Sequence, residues 1–193
     1  MLKKDLNFIL EEGEGQFVEF KESFDPKSLA REIVAFANSQ GGVILLGVRD
    51  NGEIKRIDIN NSLKSKITDL ARGCDPSINI NLKDLDDVLA VKVNEGDNKP
   101  YSCKQGFFMR VGPNSQKLSR DEILKLSFKS GSIRYDEQIC EGFTWDDFDD
   151  EKFEYYLKLA GLSYTLDRKD ILQNLGAYNE GFTNACVLMF AKK

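Results

Sequence analysis

The stretch EGQFVEFKESFDPKSLAREIVAFANSQGGVILLGVRD, residues 14–50, decides the fold of this chain. Its first part, FVEFK at 17–21, alternates apolar and polar side chains, which predicts a strand with Glu19 and Lys21 on one face. The run VILLGV at 43–48 is apolar throughout, as is typical of a strand covered on both faces. The stretch therefore predicts two strands separated by a helical segment.

The segment between the two strands carries the signals of an amphipathic helix. Asp25 is a typical N-cap, and Pro26 is tolerated in the first turn. The pair Gly41-Gly42 follows the helix and ends it, so it lacks the geometry of a phosphate loop, which opens a helix. The residues at helical spacing that share the apolar face are Leu29, Ile33, Phe36 and Ala37.

The rest of residues 1–129 extends this unit into a mixed α+β domain. Asp50-Asn51-Gly52 is a hairpin signal, and Ser119 with Glu122 forms a capping box. Residues 112–115, Gly-Pro-Asn-Ser, are predicted to be a loop. The further predicted elements are strands at 53–59, 80–85, 88–93, 101–103 and 107–111, and helices at 3–11, 61–73 and 119–128. The predicted fold is a mixed sheet flanked by helices.

Residues 130–193 change to a helical pattern. Thr144 is predicted to open a helix that Gly161 ends, and Asp167 is predicted to cap the next one. The apolar run TNACVLMFA, 183–191, continues to the end of the chain without a stop signal. We therefore expect a small helical C-terminal segment that is the start of a further domain of a longer protein.

Composition limits the chemistry of the chain. Its 193 residues contain no histidine, which excludes His-based triads and His metal ligands. The net charge of −5 comes entirely from residues 130–193, because residues 1–129 hold equal numbers of basic and acidic residues. A basic face is therefore compatible with the first part, whereas the acidic second part is not expected to contact phosphate.

The lengths of the apolar runs and the spacing of the cysteines predict where the chain is located and whether its thiols are reduced. No run of eighteen or more apolar residues is present, so no membrane association is expected. The four cysteines, widely spaced and without a CxxC pair, predict reduced thiols in a cytoplasmic protein with no zinc site.

Three carboxylates lie at the ends of the central stretch, and they are the first candidate site. Glu14, Glu19 and Asp50 could together hold one Mg²⁺ or Mn²⁺, because hard cations prefer oxygen ligands and a bound metal can activate water against a phosphodiester. The spacing alone equally allows three separate, solvated carboxylates.

Three cations are candidate contacts to a nucleic-acid backbone: Lys21, Arg110 and Lys117. Lys21 lies on the same strand face as Glu19, so an ion pair between them is the alternative. Arg110 and Lys117 belong to FFMRVGPNSQK, a segment that joins aromatic and basic residues beside a loop, a combination that could contact a nucleic-acid strand. The alternative places a phenylalanine of this segment in the core and leaves both cations solvated.

Three segments together resemble the Schlafen AlbA-type domain family: EGQFVEFKES (14–23), IVAFANSQGGVILLGVRDNGEI (33–54) and FFMRVGPNSQKLSRDEI (107–123). The resemblance covers roughly residues 10–128. It implies a mixed α+β fold and a nucleic-acid-binding role, since many bacterial members carry the label of transcriptional regulators. Some members also carry an ATP-binding label, which makes ATP a cofactor implied by the resemblance alone.

The resemblance also implies a catalytic alternative. Animal Schlafens include endoribonucleases that act on structured RNA such as tRNA, with three acids and a divalent metal ion at the active site. Glu14, Glu19 and Asp50 match the positions of these acids, which implies catalytic and metal-binding roles for them in a nuclease. Arg49 stands where the family frequently has Asp, so this chain has one carboxylate fewer beside Asp50.

Three functions follow for the domain. The leading hypothesis is a DNA- or RNA-binding module of a transcriptional regulator. The first alternative is a divalent-metal-dependent endoribonuclease, and the second is a non-catalytic protein-interaction domain. The sequence is compatible with a homo-oligomer and does not choose between DNA and RNA.

Overall fold

The computed structural model describes residues 3–162 and 166–192. The chain forms two compact units, unit 1 from Met1 to Ser132 and unit 2 from Ile133 to Lys193. None of the helices in the described ranges is both long and apolar enough to cross a membrane.

Over residues 3–132, unit 1 combines a four-stranded sheet, a two-stranded hairpin and four helices, which confirms the predicted α+β class. The large sheet has the order β1-β2-β4-β3, and the hairpin pairs β5 with β6. The elements are α1 (Lys3–Glu12), β1 (Val18–Lys21), α2 (Pro26–Asn38), β2 (Gly42–Leu46), α3 (Asn61–Arg72), β3 (Ile80–Leu85), β4 (Val88–Val93), β5 (Phe108–Val111), β6 (Asn114–Lys117) and α4 (Arg120–Ser130).

The pairing of β1 with β2 sets the two faces of the sheet. The two strands are parallel and bring Glu19 opposite Ile44, with α2 as the crossover that a parallel pair requires. Ile44 packs in the larger core with α2 and α3, so Glu19 is on that face. Phe20 and Leu45 lie on the opposite face and pack with Leu6 of α1.

α2 is the most deeply buried helix of unit 1. Asp25 caps it as predicted, accepting hydrogen bonds from the backbone N–H groups of its first turn. Asn38, at its last residue, is buried, and its side chain bonds to the backbone of Tyr101 and Phe108. The helix thereby holds the chain segment that leads into β5, in addition to covering the sheet.

Two predicted hairpins differ from the structure. Residues 53–59 do not form a strand of either sheet; Ile54 makes an isolated bridge to Val48, and the backbone N–H of Lys55 donates to the carbonyl of Gly47. Residues 101–103 do not pair with β5, because Asn38 takes the backbone groups of Tyr101. β5 instead pairs with β6, within the stretch that its turn residues had predicted to be a loop.

In its described residues, 133–162 and 166–192, unit 2 has three short helices around an aromatic core. They are α5 (Asp150–Ala160), α6 (Arg168–Asn174) and α7 (Asn184–Phe190). The helix predicted to open at Thr144 begins at Asp150 instead, because Asp149 caps it and Thr144 forms a local turn with Asp147. Asp167 caps α6 as predicted. The buried rings are Phe148, Phe153, Phe182 and Phe190.

Candidate functional site

Glu19, the central acid of the predicted metal site, is buried and paired with two cations. It is only 7% exposed, because β1 presents it to the face covered by α2. One carboxylate oxygen accepts a hydrogen bond from Lys21. This is the strand-face ion pair that the sequence offered as the alternative to a phosphate contact for Lys21. The other oxygen accepts from Nη1 of Arg110 at 2.7 Å. Both oxygens of Glu19 are therefore engaged by the protein itself.

Arg110 crosses the interior to reach Glu19. Its guanidinium is fully buried, and Nη1 also approaches Glu32 of α2 at 3.1 Å. Nη2 donates to two backbone carbonyls at the entry to β1, and the guanidinium stacks over the Phe36 ring at 4.8 Å from its centroid. Arg110 thus ties β5, α2 and β1 together.

The charges of this cluster balance. Glu19 and Glu32 supply two negative charges, and Arg110 and Lys21 supply two positive ones. Pairing with additional hydrogen bonds is what makes charges tolerable in a low-dielectric interior. The expectation that Arg110 contacts a nucleic-acid backbone does not fit this position, because its guanidinium faces carboxylates in the core.

Glu14 lies near the cluster but is held differently. Its Oε1 accepts a hydrogen bond from the backbone N–H of Phe20 at 2.8 Å. Burial raises the pKa of Glu14, and the charges of Glu19 and Asp50 add to this increase, while the Phe20 N–H and Lys21 oppose it. Glu14 therefore lies within electrostatic range of both Glu19 and Asp50, and Asp50 is exposed.

The residues do not fit a divalent metal ion as they are arranged. Across residues 3–162 and 166–192, no group of three or more Asp, Glu or Cys side chains is placed to share one ion. Glu19 has both oxygens engaged by cations, and Glu14 has one oxygen on a backbone N–H. A shared ion would require Glu19 to leave Arg110 or Lys21.

A second group of charges lies exposed on unit 1, and we call Lys27, Arg31, Lys104 and Lys117 the basic surface. All four are exposed, and within the described part of the chain none has an ion-pair partner. Lys27 and Arg31 lie one turn apart on the outer side of α2. Over residues 3–162 and 166–192, these four side chains therefore carry positive charge that is not engaged in an ion pair.

The loop before β5 brings the other two cations to α2. Lys104 lines a cavity together with Lys27, so the loop lies against the first turn of the helix. Lys117 of β6 crosses the same loop, because a methyl group added at Gly106 would lie 3.1 Å from Lys117 Cε. The basic surface is thus built from neighbouring parts of α2, the loop before β5 and β6.

The sequence predicted only Lys117 of these four cations. The spacing of Lys27 and Arg31 on the polar side of an amphipathic helix was a usable signal. Lys104 had no such signal, because its position depends on how the loop packs against α2. The aromatic residues of FFMRV do not join the surface in the predicted way, since Phe108 is in the core.

Comparison with known proteins identifies the family to which the chain belongs. No curated protein sequence matches the chain. The crystal structure of the DIP2311 protein from Corynebacterium diphtheriae is similar, with 21% sequence identity, a TM-score of 0.47 and coverage of 91% of this chain. The present chain corresponds to 35% of the length of that chain. A family profile described as Schlafen, AlbA_2 matches residues 14–119, more than half of the sequence. The chain therefore belongs to the Schlafen AlbA_2 family.

Proposed function

We propose that unit 1 is the nucleic-acid-binding module of a transcriptional regulator and that its basic surface holds the sugar–phosphate backbone. Membership of the Schlafen AlbA_2 family indicates a nucleic-acid-related domain. The observation that carries the proposal is that four exposed cations, each without an ion-pair partner in the described residues, lie on neighbouring parts of α2, the loop before β5 and β6. Unpaired Lys and Arg side chains are the groups that phosphate contacts require.

The surface explains how a chain with negative net charge can bind a polyanion. The excess of acidic residues belongs to residues 130–193, and the basic surface lies on unit 1. Each cation that neutralises a phosphate releases a condensed counterion, which makes the binding favourable and dependent on salt. Such contacts position a strand without reading its sequence.

Lys21, the third cation predicted from the sequence, is expected to be a weak phosphate contact. Its side chain is 24% exposed and is paired with Glu19, so part of its charge is already compensated. We therefore expect Lys21 to contribute less to phosphate binding than Lys117 does. Arg110 acts instead as the internal cation that holds β5 and β6, and so Lys117, in place.

The test is binding of a labelled single-stranded RNA, a folded tRNA and a DNA duplex at 50 and 200 mM salt. If four phosphates are contacted, wild-type affinity for the duplex falls by about a hundredfold across this range. The variant Lys27→Gln, Arg31→Gln, Lys104→Gln, Lys117→Gln is expected to lose most of this salt dependence. Its fold is expected to persist, because all four side chains are exposed.

The control carries the same change of charge elsewhere on unit 1. Neutralisation of Lys55, Arg56, Lys64 and Lys92 also removes four positive charges, and the first three already have acid partners. It is expected to retain the affinity and salt dependence of the wild type. Equal losses in both variants would mean that net charge alone matters and would overturn the assignment of the basic surface.

The same samples separate the alternative functions. Cleavage of the tRNA with Mn²⁺, abolished by EDTA and by Asp50→Asn, would replace the binding proposal with the endoribonuclease. Asp50 suits this test because it is exposed and lies outside the buried ion-pair cluster. If neither salt-dependent binding nor cleavage is found, the domain is a protein-interaction module.

A further inference from the structure

Cys74 and Cys103 stand opposite each other next to a backbone bridge. Asp75 and Ser102 exchange two backbone hydrogen bonds, of 2.9 and 2.7 Å, in an antiparallel arrangement. The residues that flank such a pair face each other as a non-hydrogen-bonded pair, with Cα atoms about 4.5 Å apart and side chains on one side. Cα separations from about 4.4 to 6.8 Å are those that disulfides bridge.

Two further observations place the thiols together. Both cysteines line the same cavity of about 360 Å³, and both pack in or against the larger core of unit 1. Burial raises the pKa of the Cys74 thiol to about 12, and the charge of Cys103 adds to this increase. An electrostatic effect of one thiol on the other requires that they are close.

The two thiols differ in access. Cys74 is buried, whereas Cys103 is partly exposed in the loop before β5. The Sγ of Cys103 donates a hydrogen bond to Oε1 of Gln105 at 3.0 Å. Cys103 is therefore the thiol that an external reagent meets first, and Cys74 is positioned behind it.

We propose that Cys74 and Cys103 form a modification site that a low-molecular-weight anionic disulfide, such as glutathione disulfide, oxidises to an intramolecular disulfide. The thiolate of Cys103 attacks one sulfur of the reagent and releases one thiol. The sulfur of Cys74 then loses its proton, attacks Sγ of Cys103 and releases the second thiol. The protein loses two electrons and two protons, and the reagent is reduced to two thiols.

The charge of the cavity favours this class of reagent. Lys27 and Lys104 line the cavity beside the two thiols, and Asp69 is the acidic residue among its lining. Cationic side chains attract the carboxylates of glutathione disulfide to the mouth of this cavity. This oxidation depends on the two thiols and their cavity, so we expect it whether or not unit 1 binds nucleic acid.

The experiment is native oxidation followed by mass spectrometry. Reduced protein is incubated with glutathione disulfide at pH 8, remaining thiols are blocked, and peptides are analysed without reduction. We expect a peptide pair joined through Cys74 and Cys103, reversible by dithiothreitol. The rate of the second step is expected to rise between pH 7 and pH 9, because the Cys74 thiol must lose its proton.

Matched variants make the result decisive. Cys140→Ser with Cys186→Ser removes the two cysteines of unit 2 and is expected to leave the cross-link intact. Cys103→Ser is expected to abolish it and to leave no glutathione on Cys74, with circular dichroism showing that the fold is retained. A stable glutathione adduct on Cys103 without a link to Cys74 at pH 9 would overturn the proposal, as would a cross-link formed only in denaturant.

Discussion

Unit 1 holds two groups of cations that are chemically alike and structurally opposite. Arg110 is fully buried between Glu19 and Glu32. The basic surface is exposed and has no acid partner in the described ranges. The comparison shows that the surroundings of a cation, more than its residue type, decide whether it holds the fold together or remains available to a ligand.

The energetics of the two groups differ for the same reason. A buried ion pair gains little over an apolar replacement of both partners, but loss of one partner leaves the other charge desolvated and unpaired. An exposed cation keeps its hydration and contributes little to stability.

The largest expected effect is on stability and comes from Arg110→Met. The substitution leaves Glu19 with Lys21 alone and Glu32 without a cation, so unit 1 is expected to lose about 3–5 kcal/mol of its free energy of unfolding. Urea unfolding followed by far-UV circular dichroism measures the loss. Fluorescence of Trp145, the single tryptophan, reports the transition of unit 2 separately.

The control for that variant is Lys117→Met, which removes an exposed cation from the paired strand. It is expected to change the free energy of unfolding by less than about 0.5 kcal/mol. Equal losses in both variants would contradict the contrast between the buried and exposed cations.

The next effect is on binding and comes from Lys117→Gln. Loss of one phosphate contact is expected to weaken duplex binding about fivefold at 0.15 M salt and to lower the salt slope by about one. The loss should be the same for unrelated sequences, because a phosphate contact reads none of them. A loss confined to one sequence would instead identify Lys117 as a base contact.

A smaller binding effect is expected for Lys21→Met. Because Glu19 already compensates part of the Lys21 charge, the affinity should fall less than it does for Lys117→Gln. Titration of both variants against the same duplex checks this order. The reverse order would place the phosphate contacts at the end of β1.

The smallest expected effect is the pH dependence of Glu14→Gln. Burial holds the Glu14 pKa above its ordinary value of 4.5, so the folded protein binds this proton more tightly than the unfolded chain does. The resulting stability is complete below the unfolded pKa and is lost as pH rises through the folded pKa. Gln keeps an acceptor for the Phe20 N–H and removes the charge.

We therefore expect Glu14→Gln to raise Tm over the wild type at pH 7, with the gain fading as pH falls to about 4. Thermal unfolding at several pH values measures this difference. A gain that does not vary with pH would show that the charge of Glu14 is not its cause.

Local signals were enough to predict the centre of the fold. The cap at Asp25, the alternation in β1 and the apolar run of β2 each act over a few residues, and the structure has all three elements. β6 could not be found in this way, because its sequence NSQK has no apolar alternation and follows a Gly-Pro turn. Its strand form depends on pairing with β5.

The candidate site was predictable only where its determinants are local. Glu19 and Lys21 share a strand face, so their ion pair was visible as an alternative. The burial of Arg110 was not, because Glu19 and Glu32 lie 91 and 78 residues earlier in the chain. Beside a Gly-Pro turn, a lone arginine has the local pattern of a surface residue.

The long reach of Arg110 also sets the order in which unit 1 can be completed during synthesis. Glu32 leaves the ribosome 78 residues before Arg110, a delay on the order of ten seconds at about 5–20 residues per second. Until then the strand–helix–strand stretch holds two carboxylates that it cannot bury beneath β5 and β6. The face that carries Glu19 and Glu32 is therefore expected to stay hydrated in the nascent chain. It becomes buried only when β5 and β6 pair and cover it.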